Sequence, residues 1–234
     1  FPEQYGGTNA DILSTMLLME GLGYGCKDSG LIFAINSQMW SVQMPIMKFG
    51  SDIQKDKYLP KLCSGEWIGA DSITEPDSGS DAYSLRTSAR LEGNYYTLNG
   101  TKTFCTLAPI ADVFIVFATV DKARGFMGVT AFIIEKDYPG FRVGKNIGKM
   151  GLRTAPFAEL ILEDCKVPVK NRLGKEGNGA AIFDVAIEWE RSCIFASLIG
   201  GMERQLEKCI KYAKERNQFG KPIGKYQSIA NKIV

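Results

Sequence analysis

Two stretches concentrate side chains able to do chemistry. Thr74 to Asp81, TEPDSGSD, sets hydroxyls and three carboxylates between two apolar runs. Such a loop offers backbone amides and hydroxyls to a planar polar ligand, or forms a turn whose Asp and Ser bond their own backbone. It lacks the ligand spacing and distal Glu of a calcium loop, so no metal is expected. The second stretch, AIEWERSCIF, holds Glu190. On a helix its neighbours three and four residues away are Ala186, Ile187, Cys193 and Ile194, whereas those of Glu188 are Asp184, Val185, Arg191 and Ser192. Glu188 reads as solvated. Glu190 is a carboxylate on an apolar stripe, where burial without a cation raises the pKa and suits a proton acceptor near pH 7; the alternative is a Glu at a core edge that reaches water. Histidine is absent, so proton transfer falls to a carboxylate, Lys, Tyr or Cys.

The elements that must position these groups follow from periodicity. Residues 1–66 read as helical: Ile12, Leu13, Met16 and Leu17 share one face, and Gly23 and Gly25 end that helix. Leu31 to Phe49 reads as a second helix broken or kinked at Pro45, and Ser51 with Gln54 as the capping box of a third. Residues 67–169 carry short β-branched and aromatic runs, with Asn99-Gly100 as a hairpin turn. On the strand after that turn Phe104 and Thr106 stand two apart, which points both to one side. Residues 170–234 return to helical period, from Ala180 to about Gln218, with a last helix from near Tyr226. The expected class is α+β multidomain: an N-terminal helical domain, a middle antiparallel β-barrel or sandwich, and the start of a C-terminal helical bundle. The chain lacks an initiator Met and reads as a fragment of a longer protein.

Bulk properties exclude several roles. The 234 residues carry a net charge of +2 with Lys, Arg, Asp and Glu interspersed, so no nucleic-acid surface is implied. There is no apolar run long enough to span a membrane and no signal peptide at the start. The six cysteines are scattered without a CxxC pair, which favours a reduced, cytoplasmic compartment and a role as core filler.

Six strings in register, FPEQYGG, ITEPDSGSD, LNGTKTFCT, KMGLR, LILEDCKVP and ERNQFGKPIGKYQ, resemble the acyl-CoA dehydrogenase flavoprotein family almost end to end. The resemblance implies non-covalent FAD and a helical, β, helical domain order. It assigns Thr74 and nearby backbone to the flavin ring, Ser80 to the flavin or the bound thioester, and Phe104 and Thr106 to a flavin face and the region of N5. Arg216, Phe219 and Gln227 match positions that reach the FAD of a neighbouring subunit, so a homo-oligomer, tetramer or dimer, is implied; Arg suits the pyrophosphate because its fork binds phosphate bidentately. Glu190 matches the base that takes the α-proton while hydride leaves the β-carbon for N5. Arg191, next to it in sequence, reads as a structural ion-pair partner rather than a catalyst.

The expected activity is FAD-dependent α,β-dehydrogenation of an acyl thioester on CoA or a carrier protein, with an electron-transferring flavoprotein or oxygen as acceptor. The helix WERSCIFASLIGGMERQLEKC resembles members acting on carrier-bound acyl or aminoacyl groups, such as prolyl, in secondary metabolism. RTAPFAEL departs from the run found in CoA-specific members, which a carrier presenting only phosphopantetheine would tolerate. Two other classes are a flavin oxidase or monooxygenase on the same scaffold and a non-catalytic acyl-binding protein; the last predicts a colourless protein.

Overall fold

The structure is a computed structural model describing residues 1–234. Helices α1 (Ile12–Gly25), α2 (Ser29–Ser37), α3 (Met44–Phe49) and α4 (Asp52–Ser64) precede the strands. Asp11 caps α1 by accepting from Ser14 N, and the Ser51–Gln54 capping box opens α4. The helix expected from Leu31 to Phe49 is interrupted before Pro45. Residues Gln38–Gln43 form a π-helical segment between α2 and α3, and Pro45 sits in the first turn of α3, where its missing N–H costs nothing.

Ten strands succeed these helices in chain order. They are β1 (Gly69–Ser72), β2 (Ser88–Glu92), β3 (Tyr95–Thr106), β4 (Val113–Thr119), β5 (Val129–Glu135), β6 (Phe141–Asn146), β7 (Phe157–Pro168), β8 (Arg172–Leu173), β9 (Asn217–Gln218) and β10 (Lys221–Pro222). The first eight make one sheet in the order β6-β7-β3-β2-β4-β5-β8, with β1 beside β4. Pairing is antiparallel except for β1 with β4 and the single β2–β4 bridge, which are parallel. Strand β4 is buried at every position because the sheet is covered on both sides. Phe114, Val116 and Ala118 join a core shared with β3, β5 and β7, whereas Val113, Ile115 and Phe117 face a second core shared with the helices. Helices α5 (Gly179–Glu215) and α6 (Gln227–Ile233) complete the chain. No helix is long and apolar enough to cross a membrane.

Several expectations are corrected. The two-residue turn of the β2–β3 hairpin is Gly93-Asn94, with Glu92 opposite Tyr95, and Gly93 takes the positive φ of 61° that the turn needs. Asn99-Gly100 instead lies inside β3 at a register shift against β7. A Cβ at Gly100 would fall 2.7 Å from the Thr87 Cα, so this glycine serves close strand approach. The apolar face of α1 points outward: Ile12, Leu13 and Leu17 are exposed, and Met19 and Gly23 are the buried positions. Gly23 does not end α1 but lets it approach α5, since a Cβ there would meet the Ser197 backbone. All six cysteines are free; Cys105, Cys165 and Cys193 are buried, but Cys209 is exposed and fills no core.

Candidate active site

The wall of the site starts at β1, which runs into the Thr74–Asp81 loop. Thr74 O accepts from Thr103 N at 2.9 Å, which fastens the loop to β3 immediately before Phe104. Beneath the loop, Lys102 Nζ donates to Glu75 Oε1 at 2.7 Å and to Ile73 O at 3.0 Å, with both charged side chains buried. Glu75 also accepts from Arg86 N at 2.6 Å and Thr87 N at 3.0 Å. Lys102 and these amide donors hold its carboxyl below the usual range against the opposing effect of burial. Burial pulls the Lys102 ammonium down to about 8, opposed by Glu75. Of the loop's three carboxylates only Asp81, which accepts from the nearby Ser84 hydroxyl, makes a local turn contact, while Asp77 forms an exposed ion pair with Arg86 at 2.7 Å. Glu75 is a buried anchor.

Phe104 adopts φ +58°, an outlier for an aromatic residue, at a register shift between Lys102 and Cys105. The bulge distorts the backbone at Phe104, yet Phe104 and Thr106 both lie on the open side of β3 while Cys105 between them is buried, and the Phe104 ring stacks on Phe157, the ladder partner of Thr106. Phe104 is 57% exposed and stacks on Phe157 with centroids 5.5 Å apart. Thr74 and Thr106 are half-buried and Ser80 is exposed. Within the loop only the Ser78 hydroxyl is engaged, donating to Asp81 O at 2.6 Å, and no intrachain partner occupies those of Thr74, Ser80 or Thr106. An open aromatic plate beside three unengaged hydroxyls fits the ring of a flavin, which needs both stacking and hydrogen-bond partners.

Helix α5 closes the site from the other side. Ala186, Cys193 and Ser197 on its inner stripe are buried, Glu190 between them is half-buried, and Glu188 is exposed, as the helical period requires. Ser41, buried on the π-helical segment, donates to Glu190 Oε2 at 3.1 Å. Trp40 stacks on Trp189 at 5.8 Å, and Asn36 Nδ2 donates to Ser197 Oγ at 3.2 Å. The segment from Asn36 to Ser41 is thus stitched to one face of α5. Tyr83, two residues past the loop, donates to Asp184 and joins the loop to the same helix. Arg191 is exposed and takes part in no ion pair, contrary to expectation, because it lies off the inner stripe.

Asp71, on β1, lies within Coulombic reach of Glu190, and its carboxyl is pushed up to about 7 by burial and by the Glu190 charge. Ser41, Asp71 and the Glu75–Lys102 pair went unnoticed in the sequence. Only Asp71 left a signal, as a carboxylate alternating with Gly69 and Ile73 inside a strand run.

Arg216, Phe219 and Gln227 are not brought to this wall. Arg216 comes just after the end of α5, about 40 Å from Glu190 at 1.5 Å rise per residue. All three side chains are exposed, Phe219 by 94%. Phe219 and Gly220 form the β9–β10 turn with φ of +51° and +79°.

Models of the acyl-CoA dehydrogenase N-terminal, middle and C-terminal domains match residues 1–66, 70–165 and 177–234. The chain belongs to the acyl-CoA dehydrogenase family. It is 44% identical over its full length to an L-prolyl-[peptidyl-carrier protein] dehydrogenase of Pseudomonas fluorescens and spans 62% of that relative. It is 43% identical to an acyl-CoA dehydrogenase of Bacillus subtilis, covering all of this chain and 61% of that one. Among solved structures, the prolyl acyl carrier protein oxidase AnaB matches all of the chain at 53% identity and TM-score 0.98, with 62% of AnaB covered. PigA with FAD and proline matches 99% of this chain and 61% of PigA at 44% identity and TM-score 0.96.

Proposed function

We propose that this chain forms the greater part of an FAD-dependent dehydrogenase that desaturates the α,β bond of an acyl thioester, with a carrier-bound aminoacyl group such as prolyl as substrate. The observation that carries this reading is the Glu190 carboxylate, held by Ser41 beside β1, the strand that leads into the Thr74 loop. The similarity to prolyl-carrier relatives supports the substrate class. Thr74, Ser80, Phe104 and Thr106 would hold FAD, which supplies a two-electron hydride acceptor when bound.

Glu190 takes the α-proton of the thioester. Ser41 steadies one carboxylate oxygen and leaves the other free to receive that proton. Loop and helix are fixed to each other through Tyr83 and Asp184, so proton acceptor and cofactor wall keep a set separation. Arg216, Phe219 and Gln227 contact the cofactor of a neighbouring copy, which makes the assembly a homo-oligomer.

Oxygen as electron acceptor is a second reading, favoured by the likeness to a protein described as an oxidase. Anaerobic mixing of the full-length yellow protein with prolyl-carrier protein and with acyl-CoA thioesters tests both. Bleaching of the flavin by the carrier-bound substrate is expected, and rapid recovery of colour on admitting oxygen marks an oxidase. Failure of every thioester to bleach it would overturn the proposal.

A further inference from the structure

Asp71 occupies a position where a strand facing a helical layer ordinarily carries an apolar side chain. On β1, Gly69 and Ile73 point toward the helices: a Cβ at Gly69 would meet Val42 on the π-helical segment, and Ile73 belongs to the core shared with the helices. Strand alternation places Asp71 on that same side, between them. Its partner across the parallel ladder is Ile115, fully buried in the same core. The Asp71 carboxylate accepts no hydrogen bond from any side chain, whereas its carbonyl accepts from the Cys105 thiol at 3.2 Å. Neither Asp71 nor Glu190 belongs to any ion pair, because the buried cation nearest in sequence to this wall, Lys102, is committed to Glu75. Asp71 as a residue is half-buried.

Two carboxylates without a cation are a poor environment for a neutral acyl group, since binding would desolvate both and relieve neither. A cation between them relieves both. The α-carbon that gives its proton to Glu190 carries, in an aminoacyl thioester, an amine one bond away.

We propose that Asp71 is a specificity-determining residue whose carboxylate receives the protonated amine of an α-aminoacyl thioester beside Glu190. The assignment rests on the thioester reading above and deepens it. Hydrocarbon acyl groups, which lack the cation, are disfavoured at this site.

The test uses the full-length flavoprotein with prolyl-pantetheine and cyclopentanecarbonyl-pantetheine, which differ in one ring position, NH against CH2. Calorimetric binding and anaerobic flavin reduction are measured for both. The wild type is expected to bind the prolyl compound about tenfold or more tightly than the carbocycle, and Asp71→Asn to bring the two within about twofold by weakening only the prolyl compound. Asp71→Glu, which keeps the charge, retains part of the preference. If Asp71→Asn loses its flavin, Asp71→Ser is read in the same way. An unchanged preference in these neutral variants, equal losses on both compounds, or no preference in the wild type would overturn the assignment. A binding preference that vanishes in Asp71→Asn while neither compound bleaches the flavin upholds Asp71 and sinks the dehydrogenation reading.

Discussion

The Thr74–Glu190 wall and the Arg216–Gln227 end are built in opposite ways. The first gathers residues from four distant stretches and ties them with the buried Lys102–Glu75 pair and the part-buried Ser41–Glu190 bond. The second is a single local run, a helix end, a tight turn and a short helix, with its candidate side chains in solvent. A wall of the first kind fixes its geometry within one chain. An end of the second kind fixes only its own backbone, and its side chains need a surface from elsewhere to act on.

The largest expected effect breaks the comparison at its inner pole. Glu190→Gln in the full-length protein should keep its flavin and lose about 10²–10⁴-fold in the anaerobic rate of flavin reduction; a wild-type rate would remove Glu190 from the chemistry. Next, Lys102→Met leaves Glu75 buried without its cation and should lower the unfolding free energy by about 3–5 kcal/mol in urea titrations. Lys102→Met with Glu75→Leu should recover part of that loss.

The outer pole is tested by mixing. Arg216→Ala should weaken FAD retention by about tenfold or more in equilibrium dialysis. Co-assembled Arg216→Ala and Glu190→Gln chains should be more active than either variant alone, because one chain supplies the arginine and the other the base. No gain on mixing would confine Arg216 to its own chain.

A smaller effect concerns Asp71, whose carboxyl is raised to about 7 by burial and Glu190. A raised carboxylate binds its proton more tightly folded than unfolded, so its stabilising contribution is present below about pH 4 and is lost as pH rises through about 7. Asp71→Asn should therefore melt above the wild type at pH 8 and approach it near pH 4 in thermal scans of the flavin-free protein. The smallest effect is at the outer turn. Phe219→Asn should raise stability by about 0.5–1 kcal/mol, because Asn tolerates the φ of +51° better than Phe, while weakening FAD retention if the aromatic ring contacts a neighbour's cofactor.

Legibility in the sequence tracks the range of the interactions involved. The Ser51–Gln54 capping box and the choice of Glu190 over Glu188 depend on neighbours within four residues, and both were legible. The hairpin was misplaced because Asn-Gly is a strong local turn signal, yet Gly100 is held in the strand by Thr87 and the β7 ladder. The Phe104 bulge and the Lys102–Glu75 anchor depend on strands meeting from afar, and no spacing rule reaches them. Asp71 was visible as a residue but not as a problem until Glu190 stood beside it.

The π-helical segment at Gln38–Gln43 has the form of a one-residue insertion absorbed without breaking the helix. Consecutive helical residues are separated by about 100° around the axis. Removing one residue from this segment would restore an ordinary ladder through to α3 and turn α2 by that angle relative to α3. Asn36 would swing away from Ser197, while Ser41 and Trp40 could no longer both keep their partners on α5. The segment is therefore a gear tooth: its extra residue meshes the N-terminal helices with the helix that bears the proposed base, and a deletion there would disengage the base without touching it.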